Sequence, residues 1–124
     1  MIAVDTSTLI AYLAGESGRD VEILDAALLN NEAGLPPVVI AEVLSAREPS
    51  GRVEELVVTL PVLEITDGYW ERAGRTRSRL VNRGLRAPLA DALICQSCLD
   101  HEVALLTRDA DFAPFARYCG LTLR

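Results

Sequence analysis

Two acidic residues occupy positions in the sequence that favour a shared ligand site. Asp5 ends the apolar segment 2–5, and Asp109 follows the apolar segment 103–107. Ligand sites in parallel sheets lie beyond the carboxyl ends of the strands, so both carboxylates are expected at one edge of a sheet. Taken singly, each acid also fits an ordinary helix cap or turn.

Two further acids, Glu42 and Asp91, lie on apolar faces of predicted helices. Residues three and four positions apart share a helix face. At those spacings both acids have apolar neighbours, namely Val38, Val39 and Ala46 around Glu42 and Ala87, Ile94 and Cys95 around Asp91. A buried carboxylate is costly unless it is protonated, hydrogen-bonded or bound to a cation. The cation is either an arginine, which is the structural alternative, or a metal ion.

Four converging carboxylates define a chemistry. They repel one another unless a cation lies among them. Oxygen ligands without a neighbouring His or Cys suit Mg²⁺, with Mn²⁺ as the alternative. Such an ion activates water and stabilises the charge of a phosphoryl transition state. The four acids therefore predict metal-dependent hydrolysis of a phosphodiester bond.

Short apolar strands and helices alternate along the chain and must position these acids. The pattern predicts strands at 2–5, 62–65 and 103–107, an apolar end at 121–123, and helices ending near residue 15 and spanning 19–30, 38–46, 52–60, 67–83 and 88–100. Asp67 is expected to cap the long fifth helix and Gly84 to end it. This alternation predicts an α/β fold whose parallel sheet is covered on both faces. The 124 residues suit a single domain spanning 1–124.

Composition excludes several classes of protein. No apolar run approaches the ~20 residues of a membrane span, and the start of the chain lacks a basic signal region, so a cytoplasmic protein without membrane contact is expected. The chain has no Lys, which excludes a P-loop and disfavours dehalogenase-type phosphatases and receiver domains. The single His and the missing G-x-S-x-G motif disfavour Ser and Cys hydrolases.

Three cysteines raise the question of a zinc site or a disulfide. Cys95, Cys98 and His101 follow one another at intervals of three residues, which resembles a set of metal ligands. A second ligand pair with finger-like spacing is missing. Because Cys is a common buried residue, we interpret Cys95 and Cys98 as part of an apolar helix. With Cys119 the number is odd, and a disulfide framework is not expected.

A basic segment stands out in a chain whose net charge is −6. From Arg72 to Arg86 there are six arginines and no acid. Four of them share one face of the predicted long helix: Arg72, Arg75, Arg79 and Arg83. This face is either a phosphate track for RNA, to which Arg is suited, or an ordinary solvated surface. The neighbouring Trp70 is expected to pack in the core.

Four segments together resemble the PIN-domain family, and most closely its VapC-type toxins. They read VDTS at 4–7, VIAEVL at 39–44, LADALI at 89–94 and LLTRDADF at 105–112. Each motif is short, but their order and spacing match, and they span nearly the whole chain. The resemblance implies a three-layer α/β/α sandwich with a mostly parallel central sheet.

The resemblance also implies a site and an activity. The activity is that of a Mg²⁺-dependent endoribonuclease, the toxin of a toxin–antitoxin pair. The implied catalytic and metal-binding acids are Asp5, Glu42, Asp91 and Asp109, with Thr6, Thr107 and Asp111 in support. Asp109 is favoured over Asp111 as the fourth acid because it lies nearer the strand.

Partners follow from the same resemblance. It implies an RNA substrate, a small antitoxin protein bound across the acidic pocket, and a second copy of this chain in a homodimer. Two alternatives remain open at this point. One is a housekeeping PIN-type nuclease, and the other is a PIN-like binding module without catalysis.

Overall fold

A three-stranded parallel sheet lies at the centre of the computed structural model, which describes residues 1–46 and 51–124. The central strand β1 (Ile2–Val4) pairs with β2 (Ala33–Gly34) on one side and with β3 (Ala104–Leu106) on the other. The strands are almost entirely buried. Burial on both faces explains why β1 and β3 are continuously apolar rather than alternating.

Helices cover this sheet. In the described part of the chain they are α1 (Thr6–Leu13), α2 (Arg19–Leu29), α3 (Pro37–Leu44), α4 (Gly51–Thr59), α5 (Tyr69–Val81), α6 (Leu89–His101), a 3₁₀ helix (Ala110–Phe112) and α7 (Ala113–Cys119). Helix α5 packs against α6 and α7, and α1 packs against α2 and α3. The predicted α/β/α sandwich is confirmed. None of these helices is long and apolar enough to cross a membrane.

The sheet differs from the prediction at its edges. The predicted strand at 62–65 is wrong, because that segment makes only a single parallel bridge, from Val62 to Leu35. The end of the chain likewise contributes one bridge, from Leu123 to Leu105. Strand β2 was not predicted, because an Ala-Gly pair carries none of the β-branched residues that signal a strand.

The cap of the long helix lies one residue later than predicted, and the helix begins at Tyr69. Gly68, not Asp67, is the cap residue, and its φ of 82° is a left-handed value that suits glycine. Asp67 contributes its backbone carbonyl instead, which accepts a hydrogen bond from Arg72 Nη1 at 2.7 Å.

At the other end the long helix stops at Val81, two residues before the predicted end at residue 83, so Arg83 lies beyond it. Gly84 has a left-handed φ of 72° in the turn that follows, where the backbone N–H of Leu85 donates to the Leu80 carbonyl at 3.0 Å.

The expectation that Trp70 packs in the core is wrong. Trp70 is 60% exposed, whereas its neighbour Tyr69 is 3% exposed and donates its hydroxyl proton to the carbonyl of Leu93 at 2.8 Å. Adjacent residues on a helix point in different directions, so only one of the two rings can face α6. The indole packs edge-on against the Tyr69 ring, with centroids 5.0 Å apart.

Candidate active site at the carboxyl edge of the sheet

Asp5 is held at the carboxyl end of β1 by two hydroxyl groups. Its side chain is almost fully buried, with 4% exposed. Thr107 Oγ1 donates to Asp5 Oδ2 at 2.7 Å, and Ser7 Oγ donates to the same oxygen at 2.6 Å. These hydrogen bonds stabilise the charged carboxylate that burial alone would disfavour.

The pairing of β1 with β3 explains this meeting of residues that are distant in sequence. Val4 is the register partner of Leu106, and the backbone N–H of Asp5 donates to the Leu106 carbonyl at 2.9 Å. Parallel strands end at the same edge, so the residues that follow them, Asp5 and Thr107, lie side by side. Thr107 Oγ1 then accepts the backbone N–H of Asp109 at 3.0 Å.

Three aspartates form the tightest acidic group of the described residues. Asp91, Asp109 and Asp111 each offer a carboxylate oxygen, and these oxygens lie within 4.8 Å of one another. Asp91 stands in the first turn of α6, while Asp109 caps the 3₁₀ helix and accepts the backbone N–H of Asp111 at 2.9 Å. Asp109 and Asp111 therefore both belong to the group, whereas the sequence analysis treats these two aspartates as alternatives for the fourth acid.

The pKa of Asp91 is raised by burial and by neighbouring negative charges. Burial of its carboxyl is the largest cause, and the charges of four acids add to it: Asp109, Asp5, Asp111 and Glu42. Together they raise the pKa of Asp91 to about 6. The four other acids thus lie close enough to Asp91 to act on it electrostatically, and a partly buried acid perturbed in this way is typical of functional sites.

Glu42 reaches this region from α3. It is partly buried, and Thr6 Oγ1 donates to Glu42 Oε1 at 2.8 Å. Thr6 is the first residue of α1, directly after Asp5, so one short stretch of chain carries Asp5 and also fixes the carboxylate of α3. The four sequence-predicted acids are thereby brought together with both predicted threonines.

The donor set fits a hard divalent cation. Carboxylate and hydroxyl oxygens surround the group, and the ligands preferred by Mg²⁺ and Mn²⁺ are oxygens of this kind. Asp91, Asp109 and Asp111 provide closely spaced oxygens that a single ion can reach. A cation there would also offset the burial of the Asp91 carboxylate and the repulsion by its acidic neighbours, which together raise its pKa.

Arg86, which sequence reasoning left out of the site, pairs with Asp111. Its Nη1 contacts Asp111 Oδ2, and the Arg86 side chain is largely exposed while that of Asp111 is about half exposed. The sequence contained the signal, because Arg86 is the last arginine of the acid-free basic segment. Its position lies beyond the helix face that the spacing argument considered.

Arg108 and Asp20 fasten the loop that carries Asp109. Arg108 Nε and Nη2 each lie 2.8 Å from an Asp20 oxygen, and Thr8 Oγ1 donates to Asp20 at 2.9 Å. The Arg108 hydrogen bond is the main reason why the pKa of Asp20 falls to about 2. Ser7 and Arg108 lie within the sequence motifs but were not among the predicted site residues, and Asp20 lies outside the motifs.

The arginine face of α5 is divided. Arg72 donates from Nε and Nη2 to Asp100 at 3.0 and 2.7 Å and also contacts Thr66. Its guanidinium is therefore held at the end of α6 that is remote from Asp91. Arg75, Arg79 and Arg83 are exposed. Across residues 1–46 and 51–124 these three form no salt bridge.

The cysteines agree with their interpretation as packing residues. All three are buried and unpaired. Burial raises the pKa of Cys95 and that of Cys98, the latter to about 12. His101 is engaged elsewhere, with Nε2 at 2.8 Å from the carbonyl oxygen of Glu64.

Comparison with known proteins identifies the family. Residues 2–118 match the PIN domain, so the chain belongs to the PIN domain family, whose members are generally nucleases. A search of curated proteins found no match.

Solved structures share the fold. A structure of VapBC2 from Rickettsia felis, bound to a DNA fragment from its promoter, has a TM-score of 0.78 and 19% identity, covering 100% of this chain and 98% of that one. VapBC-5 from Mycobacterium tuberculosis, a member of the VapBC family of toxin–antitoxin systems, has a TM-score of 0.62 and 23% identity, covering 92% and 89%. FitAcB from Neisseria gonorrhoeae has a TM-score of 0.66 and 17% identity, covering 100% and 97%.

We predict that Asp91→Asn stabilises the metal-free protein. The unfolded carboxyl titrates near 3.8 and the folded one near 6, so ionised Asp91 destabilises the fold above that range. After allowance for solvent screening, the gain in unfolding free energy is about 1 kcal/mol. This gain should be largest above pH 6 and should vanish as the pH falls towards 4. Thermal unfolding in the presence of EDTA measures it. The exposed-acid control Asp67→Asn should show no such gain, and a loss of stability in Asp91→Asn would contradict the charge-crowding account.

Proposed function

We propose that this protein is a metal-dependent endoribonuclease and the toxin of a toxin–antitoxin pair. The observation that carries the proposal is the set of three carboxylate oxygens within 4.8 Å, contributed by Asp91, Asp109 and Asp111 at the carboxyl edge of the sheet. Asp5 and Glu42 add two more charges to this edge. Membership of a family of nucleases gives the chemistry its class.

Asp91, Asp109 and Asp111 would hold Mg²⁺ or Mn²⁺, with Asp5 and Glu42 as the adjoining acids of the catalytic pocket. When bound, the ion would activate water and stabilise negative charge on the phosphoryl group. The protein itself supplies orientation. Hydroxyl donors fix the oxygens of Asp5 and Glu42, so these carboxylates need not reorganise when a substrate binds.

Thr107 has the central supporting role in this proposal. It donates to Asp5 and accepts from the backbone of Asp109, and thereby couples the acid after β1 to the loop after β3. Thr6, at the start of α1, donates to Glu42 and so orients the carboxylate of α3. Loss of either hydroxyl would leave the acids present but less precisely aimed, which lowers the rate rather than abolishing it.

The biological role is inferred from the structural neighbours. Two of them are VapBC structures, one described as a member of a toxin–antitoxin family. We propose that this chain acts in the cytoplasm on RNA, forms a homodimer and is neutralised by a small antitoxin. An exposed acidic group without a resident cation attracts a basic residue of such a partner.

Purified protein should cleave single-stranded RNA with Mg²⁺ or Mn²⁺ and lose activity in EDTA. Asp91→Asn and Asp109→Asn should each lower the cleavage rate by at least about 100-fold, because each removes a charged ligand oxygen from the ion. Gel assays of a labelled RNA measure this, with Asp67→Asn as a folded control of equal charge change. Cleavage that continues in EDTA, or full activity of either variant, contradicts the proposal.

Expression of the chain alone should arrest bacterial growth, and co-expression of a neighbouring small gene should restore it. The Asp91→Asn variant, expressed to the same level, should permit growth because it lacks nuclease activity. Growth curves after induction measure both effects. If the wild-type protein cleaves RNA in vitro yet is harmless at high level, the toxin role is wrong and a housekeeping nuclease is the better assignment.

A further inference from the structure

Helix α5 packs against α7, and arginines in its last turn and beyond its end lie along the carboxyl-terminal segment 110–119. Arg86, just beyond α5, pairs with Asp111 at the start of that segment. Arg83 lies over the ring of Tyr118, with its guanidinium carbon 4.2 Å from the ring centroid. Arg79 and Arg83 both lie near enough to Cys119 to lower its pKa against the effect of burial. The two segments therefore run antiparallel, with three arginines lining their contact.

Tyr118 holds the middle of this surface in place. Its ring contacts Arg83 at 4.2 Å and Arg117 at 5.2 Å. Contacts of this kind attract the guanidinium to the ring and restrict its rotamers. The aromatic ring thus keeps two cations fixed at the surface while leaving their N–H donors available to a ligand.

The two segments that form this surface, 72–86 and 110–119, carry no acid apart from Asp111. The sequence has no acid between Arg72 and Arg86 and none after Asp111. Within residues 1–46 and 51–124, Arg79, Arg83 and Arg117 make no salt bridge, whereas Arg72 is paired with Asp100. The basic surface consequently excludes Arg72 and ends at Arg86, whose partner Asp111 belongs to the acidic group.

We infer that Arg79, Arg83 and Arg86 form a phosphate track that guides a single strand of RNA to the acidic group, with Arg117 beside it. The inference rests on the proposed function and specifies how that site takes its substrate. Arg79 lies in the last turn of α5, and Arg83 and Arg86 follow beyond its end, so the three cations line one stretch of chain that leads to Asp111. Their planar donor groups favour phosphate over a single carboxylate.

Arg86 has a distinct place at the end of the track. A cluster of five acids repels the RNA backbone, and a cation beside it favours the approach of a phosphate. The Arg86 side chain is 74% exposed and uses one nitrogen on Asp111. Asp111 keeps the Arg86 guanidinium beside the acidic group. The remaining N–H donors of Arg86 are free to bind the phosphate next to the scissile bond.

The track can be tested by RNA binding in EDTA, where cleavage does not interfere. Fluorescence anisotropy of a labelled oligouridine gives the dissociation constant over a series of NaCl concentrations. Three contacts predict a slope of log K against log salt of about −2, and Arg83→Gln/Arg86→Gln should reduce it to about −0.7. Arg83→Lys/Arg86→Lys should retain most of the slope, because it keeps both charges.

A matched control separates the track from a general effect of net charge. Arg52→Gln/Arg124→Gln removes the same two charges from α4 and from the carboxyl terminus, outside the α5–α7 contact, and should leave the slope near that of the wild type. Thermal unfolding of every variant verifies that it is folded.

The inference is overturned if the wild type does not bind oligouridine, if the Arg83/Arg86 double variant keeps its slope, or if the control loses as much. Metal-dependent cleavage by the wild type in any of these cases would leave the proposed function intact while removing the track. Preferential binding of polyglutamate over oligouridine, with the same dependence on Arg83 and Arg86, would assign the surface to an acidic protein and also overturn it.

Discussion

Parallel pairing of β1 with β3 determines where the acids of this protein meet. The register that aligns Val4 with Leu106 delivers Asp5 and Thr107 to the same edge of the sheet, and their hydrogen bond at 2.7 Å closes that edge. Asp109 follows at a fixed distance because its backbone N–H is held by the same threonine. Helices α3 and α6 then need only present one acid each for the site to assemble.

Bringing these acids together lowers the stability of the folded state. Burial of Asp91, together with the charges of four neighbouring acids, disfavours its ionised form in the folded state and raises its pKa. Hydroxyl donors on Asp5 and Glu42, and the ion pair of Arg86 with Asp111, compensate part of the charge. The remaining negative charge makes the site receptive to a divalent cation, as expected where function and stability conflict.

Local sequence patterns predicted much of this arrangement. The ends of the predicted strands indicated the positions of Asp5 and Asp109. The apolar neighbours of Glu42 and Asp91 indicated that both acids face the interior. Patterns failed where the outcome depends on partners distant in sequence. Nothing near Arg72 shows that Asp100 occupies it, and nothing near Arg86 shows that Asp111 lies opposite. The two-residue β2 and the exposed Trp70 were missed for the same reason, because tertiary packing and not propensity determines them.

Anomalous diffraction from crystals grown with Mn²⁺ would examine the metal site directly. We expect a peak bonded at about 2.0–2.2 Å to carboxylate oxygens of Asp91, Asp109 and Asp111, a range in which small divalent ions bind oxygen. The peak should disappear in Asp91→Asn crystals grown in the same way. Saturating Mn²⁺ without a peak at these three carboxylates, or a peak only elsewhere on the protein, would contradict the proposed metal site.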